Sequence, residues 1–328
     1  MSRVRRLSRL GTPAAAVTVL ALAASGCVTV HGEREVVPSA TKAEAAEALQ
    51  SFLTAYNKAE KAYDPALDAD RINGPLGAIN QAGLKSRGVQ HPGGNPNGTP
   101  LKLTDAKYSI PKKAGWPRWF VADTKATNRR PENIRWIFVF TKSGPDEVWR
   151  ASYLNLVAPE RVPALKKDKD GYIEPVPADS ARLAVAPADL GEQYTTYLNK
   201  GGDQFAPGDH TTRWKATRDK SKKSRGGIGY QYIDQPQNGG AFAPVAMRTE
   251  DGGALVFFST HHYEKQTAAK GLDLNVDGDA KALMEGEAKE SVTLERVSNQ
   301  VVLDPKKSGG GKVTFLGRIQ GLTGAKGS

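Results

Sequence analysis

The residues of this chain best suited by type to proton chemistry lie late in the sequence. His210, His261 and His262 are the histidines of the second half, and His261-His262-Tyr263-Glu264 follows the apolar run 255–258. A histidine or carboxyl group works as acid or base only within hydrogen-bond reach of a substrate. Neighbours on a strand point to opposite faces, so this pair is badly arranged to grip one metal ion. The expectation is therefore exposed histidines with a structural role. Asp273-x-Asn275-x-Asp277-Gly278-Asp279 reproduces the first seven positions of a calcium loop, but the twelfth falls on Met284 and Glu285 comes one residue late. Without the bidentate acid the strongest ligand is missing, and the stretch reads as an Asx-rich turn. Neither Gly-x-Ser-x-Gly nor a P-loop pattern occurs. No catalytic residue, metal ligand or cofactor is assigned.

The remaining chemical feature is aromatic. Trp116, Trp119, Trp136 and Trp149 are four of the five tryptophans, all in the first half and on or beside its predicted strands. Alternation puts Trp136, Phe138 and Phe140 on one face and Arg135 on the other. Tryptophans on a concave sheet either fill a core or line a ligand pocket with an arginine at its mouth. Trp136 shares its face with an apolar row and is expected to be core. Trp116 and Trp119 flank Pro117 beside Arg118 and are expected to be partly exposed, which assigns any ligand contact to Trp119 and Arg118.

One thiol carries a different chemistry. Cys27 is the single cysteine, so an intramolecular disulfide, a zinc cluster and a Cys-x-x-Cys motif are excluded. It stands at the end of a charge-free run that follows Arg3, Arg5, Arg6 and Arg9. A basic segment, an apolar segment and small residues are the parts of an export signal. Ala23-Ala24-Ser25-Gly26-Cys27 resembles the lipobox of a bacterial lipoprotein signal, with Ala24 where that family usually has Leu. The resemblance implies cleavage after residue 26 and acylation of Cys27, which anchors the chain stably once two acyl chains are attached. An uncleaved membrane anchor and ordinary secretion are the alternatives, since residues 10–32 are long enough to span a bilayer. All three place the body outside the cytoplasmic membrane.

The formal charge of +11 drops to +7 once the four signal arginines leave. The densest basic run, 213–225, contains one aromatic residue, Trp214. Export argues against nucleic acid as its partner. The run reads as a solvated, Gly-bordered loop, with contact to anionic headgroups or wall polymers as the second reading.

Elements are laid out twice. The first-half helix is expected to start at an N-cap on Ser39 or Thr41 and to end near Lys61, with Ala45, Leu49, Phe52, Leu53 and Tyr56 at helical spacing. Shorter helical stretches open at Pro65 and Pro75, and 83–98 reads as a Gly/Pro/Asn loop. Strands follow at 103–110, 118–123, 134–141 and 148–157. After Pro-rich 159–179 a second helix carries Leu190, Tyr194, Tyr197 and Leu198. Phe52, Thr54, Asn57, Lys58, Tyr63 and Pro65 match Tyr194, Thr196, Asn199, Lys200, Phe205 and Pro207. Leu255-Val256-Phe257-Phe258 echoes Trp119-Phe120-Val121, and Lys307-Ser308-Gly309 echoes Lys142-Ser143-Gly144. Three echoes in one order suggest a degenerate tandem duplication.

Helices followed by hairpin-linked strands indicate an α+β class, with two tandem modules of helix packed on a curved antiparallel sheet. The organisation is signal 1–26, lipidated Cys and tether 27–40, first domain 41–158, linker 159–179, second domain 180–322 and tail 323–328. Each module resembles the nuclear-transport-factor-like cone or the cystatin-like fold in element order. The whole chain resembles lipoproteins of high-GC Gram-positive bacteria, which implies an envelope location and no particular reaction. The leading functional reading is a non-catalytic, lipid-anchored protein that binds an envelope protein or wall component. A small-ligand binder using the Trp-lined half is the alternative, and a hydrolase comes third.

Overall fold

The computed structural model describes residues 35–131, 133–223 and 226–328. The export signal, Cys27 and most of the tether lie outside the described residues. The first half contains β1 (Val37–Pro38), α1 (Lys42–Ala62), α2 (Gly74–Gln90), β2 (Leu103–Ser109), β3 (Lys112–Lys113), β4 (Arg118–Ala126), β5 (Arg135–Lys142) and β6 (Arg150–Val157). Thr41 caps α1 by a capping box, its hydroxyl accepting from Glu44 N while the Glu44 carboxylate accepts from Thr41 N. β2, β4, β5 and β6 form an antiparallel meander, and β1 pairs with β3 beside it.

The second half contains α3 (Leu190–Lys200), α4 (Trp214–Lys222), β7 (Ile228–Gln237), β8 (Val245–Arg248), β9 (Ala254–Ala268), α5 (Gly278–Leu283), β10 (Met284–Glu285), β11 (Ser291–Asp304) and β12 (Thr314–Gly327). Here the meander runs β7, β9, β11, β12, with β8 also on β9 and β10 parallel to the end of β12. The α+β reading holds, and the sequence echoes fall at equivalent places. Phe52 and Tyr194 are buried on α1 and α3; 119–121 and 255–258 lie on the second strand of each meander; both Lys-Ser-Gly turns join the third strand to the fourth.

Three apolar layers stack these elements. α1 and α2 cover one face of the first sheet through Leu49, Phe52, Leu76, Phe120, Phe138 and Phe140. The other face packs on the second sheet through Val121, Ile137, Val139, Tyr153, Phe257 and Val301. α3 covers the far face of the second sheet with Leu190, Tyr194 and Leu198 against Phe258, Val302 and Phe315. A buried amide pair, Asn155 Nδ2 donating to Asn299 Oδ1 at 2.9 Å, joins the two sheets within this stack. The Pro-rich segment 159–179 is bonded along β8, with Lys166 N on Arg248 O at 2.9 Å and Val176 N on Ala246 O at 2.9 Å. Ile173 N also reaches Ile110 O at 3.0 Å, so this segment ties the halves together.

Three local expectations are corrected. α2 continues to Gln90 through residues read as loop, because Gly88 lets it approach the end of α1: a Cβ there would stand 2.7 Å from Tyr63 O. The stretch at Pro65 is only a single 3-10 turn, Pro65–Leu67. Residues of the basic run form α4 instead of a loop. It holds no Gly or Pro, its Lys215 and Asp219 pair at 2.5 Å one turn apart, and Arg218 on its inner face is buried.

Candidate functional site

Trp119 and Arg118 do not share a site. They are consecutive on β4, so their side chains leave opposite faces of the sheet. Trp119 is 8% exposed and packs between the two sheets with Val121 and Val139, which corrects the expectation of partial exposure. Arg118 lies over Trp116, its guanidinium 4.6 Å from that ring's centre. Trp149 sits edge-on to Phe120 at 4.9 Å. Arg135 emerges opposite Trp136 as expected, but it is committed to Asp123 and Asp105, each at 2.6 Å.

The aromatic that lines a cavity is Trp136. Between α1, α2 and the first sheet lies a half-open cleft of about 200 Å³, walled by Phe52, Leu76, Trp136, Phe138 and Leu154. Its polar edge carries Tyr56, Asn80 and the Glu60–Arg87 ion pair, 2.7 Å apart. The helices supply this edge because Tyr56 and Glu60 are one turn apart on α1 and Arg87 faces them from α2. Burial pushes the Tyr56 phenol up to about 12 and raises the Glu60 carboxyl, against which Arg87 acts. Nearby Asp68 is fully buried and pushed up to about 6 by desolvation, with Asn80 Nδ2 at 2.7 Å and Gln81 Nε2 at 2.6 Å donating to it. Such a space accepts an aromatic-sized apolar body with a polar end directed at Glu60 and Arg87.

The second half holds a buried polar network that the sequence reading missed. His262 is buried rather than exposed, and on the opposite face from His261, as strand alternation requires. Its Nδ1 lies 2.6 Å from Asp234 Oδ1, and its Nε2 lies 2.9 Å from Ser298 Oγ and 2.8 Å from Thr260 Oγ1. An ionised Asp234 can only accept, so the ring carries its proton on Nδ1 and Nε2 accepts from a hydroxyl. Desolvation drives the imidazole down to about 4, so it is neutral at pH 7. Desolvation acts upward on Asp234 as well, but His262 and Arg218 outweigh it and hold the carboxyl below its ordinary range. Arg218 Nη2 donates to Asp234 Oδ2 at 2.7 Å.

Asp234, His262 and Ser298 thus have the connectivity of an acyl-transfer triad. Ser298, however, is fully buried, and its Oγ is also contacted by Gln300 Nε2 at 2.6 Å and Thr260 Oγ1 at 3.1 Å. That hydroxyl is enclosed by the protein and has no open side for a substrate carbonyl. Register alone brings these residues together: Asp234 pairs with His262 across β7 and β9, and Ser298 with Thr260 across β9 and β11. No spacing in the chain announces it, since the contributing positions are 28 and 36 residues apart.

His261 turns the other way, its Nδ1 3.2 Å from Tyr263 Oη. The calcium-like stretch is a helix start: Asp277 caps α5 by accepting from Ala280 N, while Asp279 accepts from Ser86 Oγ at 2.8 Å and Gln90 Nε2 at 2.7 Å. Among the described residues, no cluster of three or more His, Cys, Asp or Glu is arranged to hold a metal ion, and no helix is long and apolar enough to cross a membrane.

No solved structure matches this chain. It is similar to an uncharacterized lipoprotein of Streptomyces coelicolor and to one of Streptomyces avermitilis, each 56% identical over 326 residues, 99% of this chain and 97% of theirs. A further uncharacterized lipoprotein of Streptomyces coelicolor is 27% identical over 314 residues, 89% of this chain and 87% of its own. A family model described as Domain of unknown function (DUF8094) matches residues 36–327. With that match and relatives of this identity along almost its full length, the chain belongs to the DUF8094 family.

Proposed function

We propose that this chain is a lipid-anchored, extracytoplasmic binding protein without catalytic activity, and that the Trp136 cavity takes a small ligand with an aromatic or branched apolar body. The observation that carries the ligand reading is the cavity itself, in which apolar walls converge on one polar edge made by Tyr56, Glu60 and Arg87. Its volume suits a single ring: an apolar cavity of about 150 Å³ accommodates benzene. Both broad faces of the first sheet are covered, one by helices and one by the second sheet, which leaves it no open apolar face for a protein partner. The ligand contact therefore moves from Trp119 and Arg118 to Trp136 and Arg87.

Anchoring rests on Cys27 and on the lipoprotein naming of the relatives. A partner in the envelope, either a protein or a wall polymer, has the outer face and C-terminal end of α4 available, where Lys220 and the capping Lys223 are exposed. Each such lysine contributes about 1 kcal/mol near an anionic surface.

Ligand-observed NMR with phenol and benzylamine as probes tests the cavity. Saturation transfer is expected for wild type and is lost in Leu76→Trp, which fills the space. Transfer of equal strength in that variant removes the cavity from consideration. Mass spectrometry of the mature N-terminus is expected to show an acylated Cys27, and Cys27→Ser to release the protein from membranes. An unmodified N-terminus beyond residue 27 overturns the anchor.

A further inference from the structure

The helix-covered face of the second sheet carries more positive charge than it neutralises. Arg218 is 2% exposed and gives one nitrogen to Asp234, while its Nε and Nη1 are buried without a partner. Arg318 on β12 donates from Nη2 to Gln320 Oε1, and its Nε is buried without a partner. Among the described residues, no carboxylate lies within ion-pair distance of Arg318. Two guanidiniums thus face one carboxylate, Asp234, and His262 is neutral at pH 7. Of the other charged groups around this face, Glu264 pairs with Arg296 at 3.4 Å, Asp209 with Arg213 at 2.6 Å and Asp219 with Lys215 at 2.5 Å, Arg161 donates to Phe315 O and Lys222 lies over Tyr232. An uncompensated cation in such surroundings costs several kcal/mol unless something pairs with it.

The unpartnered groups lie along one line of contact. Trp214 and Arg218 are four residues apart on α4, so both face the sheet from one side of the helix. Arg318 stacks on Trp214 at 4.9 Å, and Arg218 on Tyr232 at 4.3 Å. Trp214 Nε1 is likewise a buried donor without a partner, whereas Gln300, the register neighbour of Arg318 across β11 and β12, commits its amide nitrogen to Thr260 Oγ1 and Ser298 Oγ. Arg318 and Trp214 each keep part of their surface in solvent, while the unpartnered Arg318 Nε and Trp214 Nε1 lie buried just behind it. Apolar rings lie beneath: Phe315 is 4.8 Å from Tyr194, whose hydroxyl is already committed to His210 O at 2.6 Å.

We propose that this face is a second binding site, specific for a small oxyanion, a carboxylate or phosphate group, held by Arg318 with Arg218 and the Trp214 indole N–H. A guanidinium with free N–H groups matches such oxygens in geometry and charge. The anion supplies the missing negative charge and accepts from donors that the protein leaves unpaired. The Asp234–His262–Ser298 network is then the support that fixes Arg218, a positioning role and not a catalytic one. This site is separate from the Trp136 cavity, and neither reading requires the other.

Thermal unfolding of the mature protein is measured against sodium phosphate and sodium acetate at fixed ionic strength, with chloride as reference. The expected result is a saturable rise in unfolding temperature with at least one of the two anions, since a ligand that binds only the folded state stabilises it. Arg318→Met is expected to abolish the rise while leaving the response to phenol at the first-half cavity intact. Trp214→Phe, which keeps the packing and removes the N–H, is expected to weaken binding about tenfold, the loss of one hydrogen bond to a charged group. A wild type that responds to neither anion beyond chloride overturns the proposal, as does an unchanged response in Arg318→Met. Should Arg318→Met fail to fold, an unchanged half-saturation point in Trp214→Phe overturns it instead.

Discussion

His262 Nδ1 lies 2.6 Å from Asp234 Oδ1, and the other oxygen of Asp234 accepts from Arg218 Nη2 at 2.7 Å. One carboxylate therefore sets both the tautomer of a buried histidine and the position of a buried arginine. The three residues come from β9, β7 and α4, so this contact locks the helix to the sheet.

The first prediction concerns pH. The His262 imidazole titrates near 4 in the folded protein and at about 6.5 in the unfolded chain. Between those values the unfolded state binds more protons, so the contribution is complete above about pH 6.5 and is lost as pH falls toward 4, amounting to about 3 kcal/mol. Asp68 and Asp304 titrate with the opposite sign, so the measurable quantity is the difference between wild type and His262→Asn. Urea midpoints should show a large deficit for the variant at pH 7.5 that shrinks by pH 4.5. A deficit independent of pH would refute the neutral, buried imidazole.

Asp304 should behave in reverse. It is 1% exposed, its Oδ2 has no partner, and burial raises its carboxyl to about 7. A folded pKa above the unfolded one means that its stability contribution is full at low pH and is lost as pH rises through 7. Asp304→Asn keeps an acceptor for Val185 N and removes the charge. It should stabilise the protein at pH 8, by about 4 kcal/mol at most, and make little difference at pH 4. A variant less stable than wild type at pH 8 would contradict this.

Trp119 and Trp136 exchange the roles that the sequence suggested. Trp119→Ala should cost about 3–5 kcal/mol, as expected for a large side chain lost from a packed core. Trp136, partly exposed at a cavity wall, should cost clearly less. Chemical denaturation of the two variants ranks them, and a larger loss for Trp136→Ala would reverse the assignment.

The shared layer between the sheets predicts how the halves depend on each other. A fragment of residues 27–158 would expose Trp119, Val121, Ile137, Val139 and Tyr153 to water. It is expected to lack a cooperative unfolding transition and to bind a hydrophobic dye. A fragment that unfolds cooperatively, without dye binding, would show that each half holds its own core.

Much of this protein was legible in order along the chain. Ser39 and Thr41 offered a cap for the start of α1, the 3.6-residue spacing of Leu49, Phe52 and Tyr56 marked its inner face, and alternation from Arg135 to Phe140 separated the two faces of β5. These are short-range signals, because periodicity is set within a turn of helix or a pair of strand residues. Tertiary structure alone decided what covers each face. A strand records which of its own residues share a face, as Trp136 does with Phe138 and Phe140, but whether helix, cavity or second sheet lies beyond depends on residues far along the chain. The same holds for His262, whose neighbours Asp234 and Ser298 are brought to it by strand register across three strands. Gly88 is the converse case: locally it reads as a helix breaker, and only the close approach of Tyr63 O explains why glycine stands inside α2.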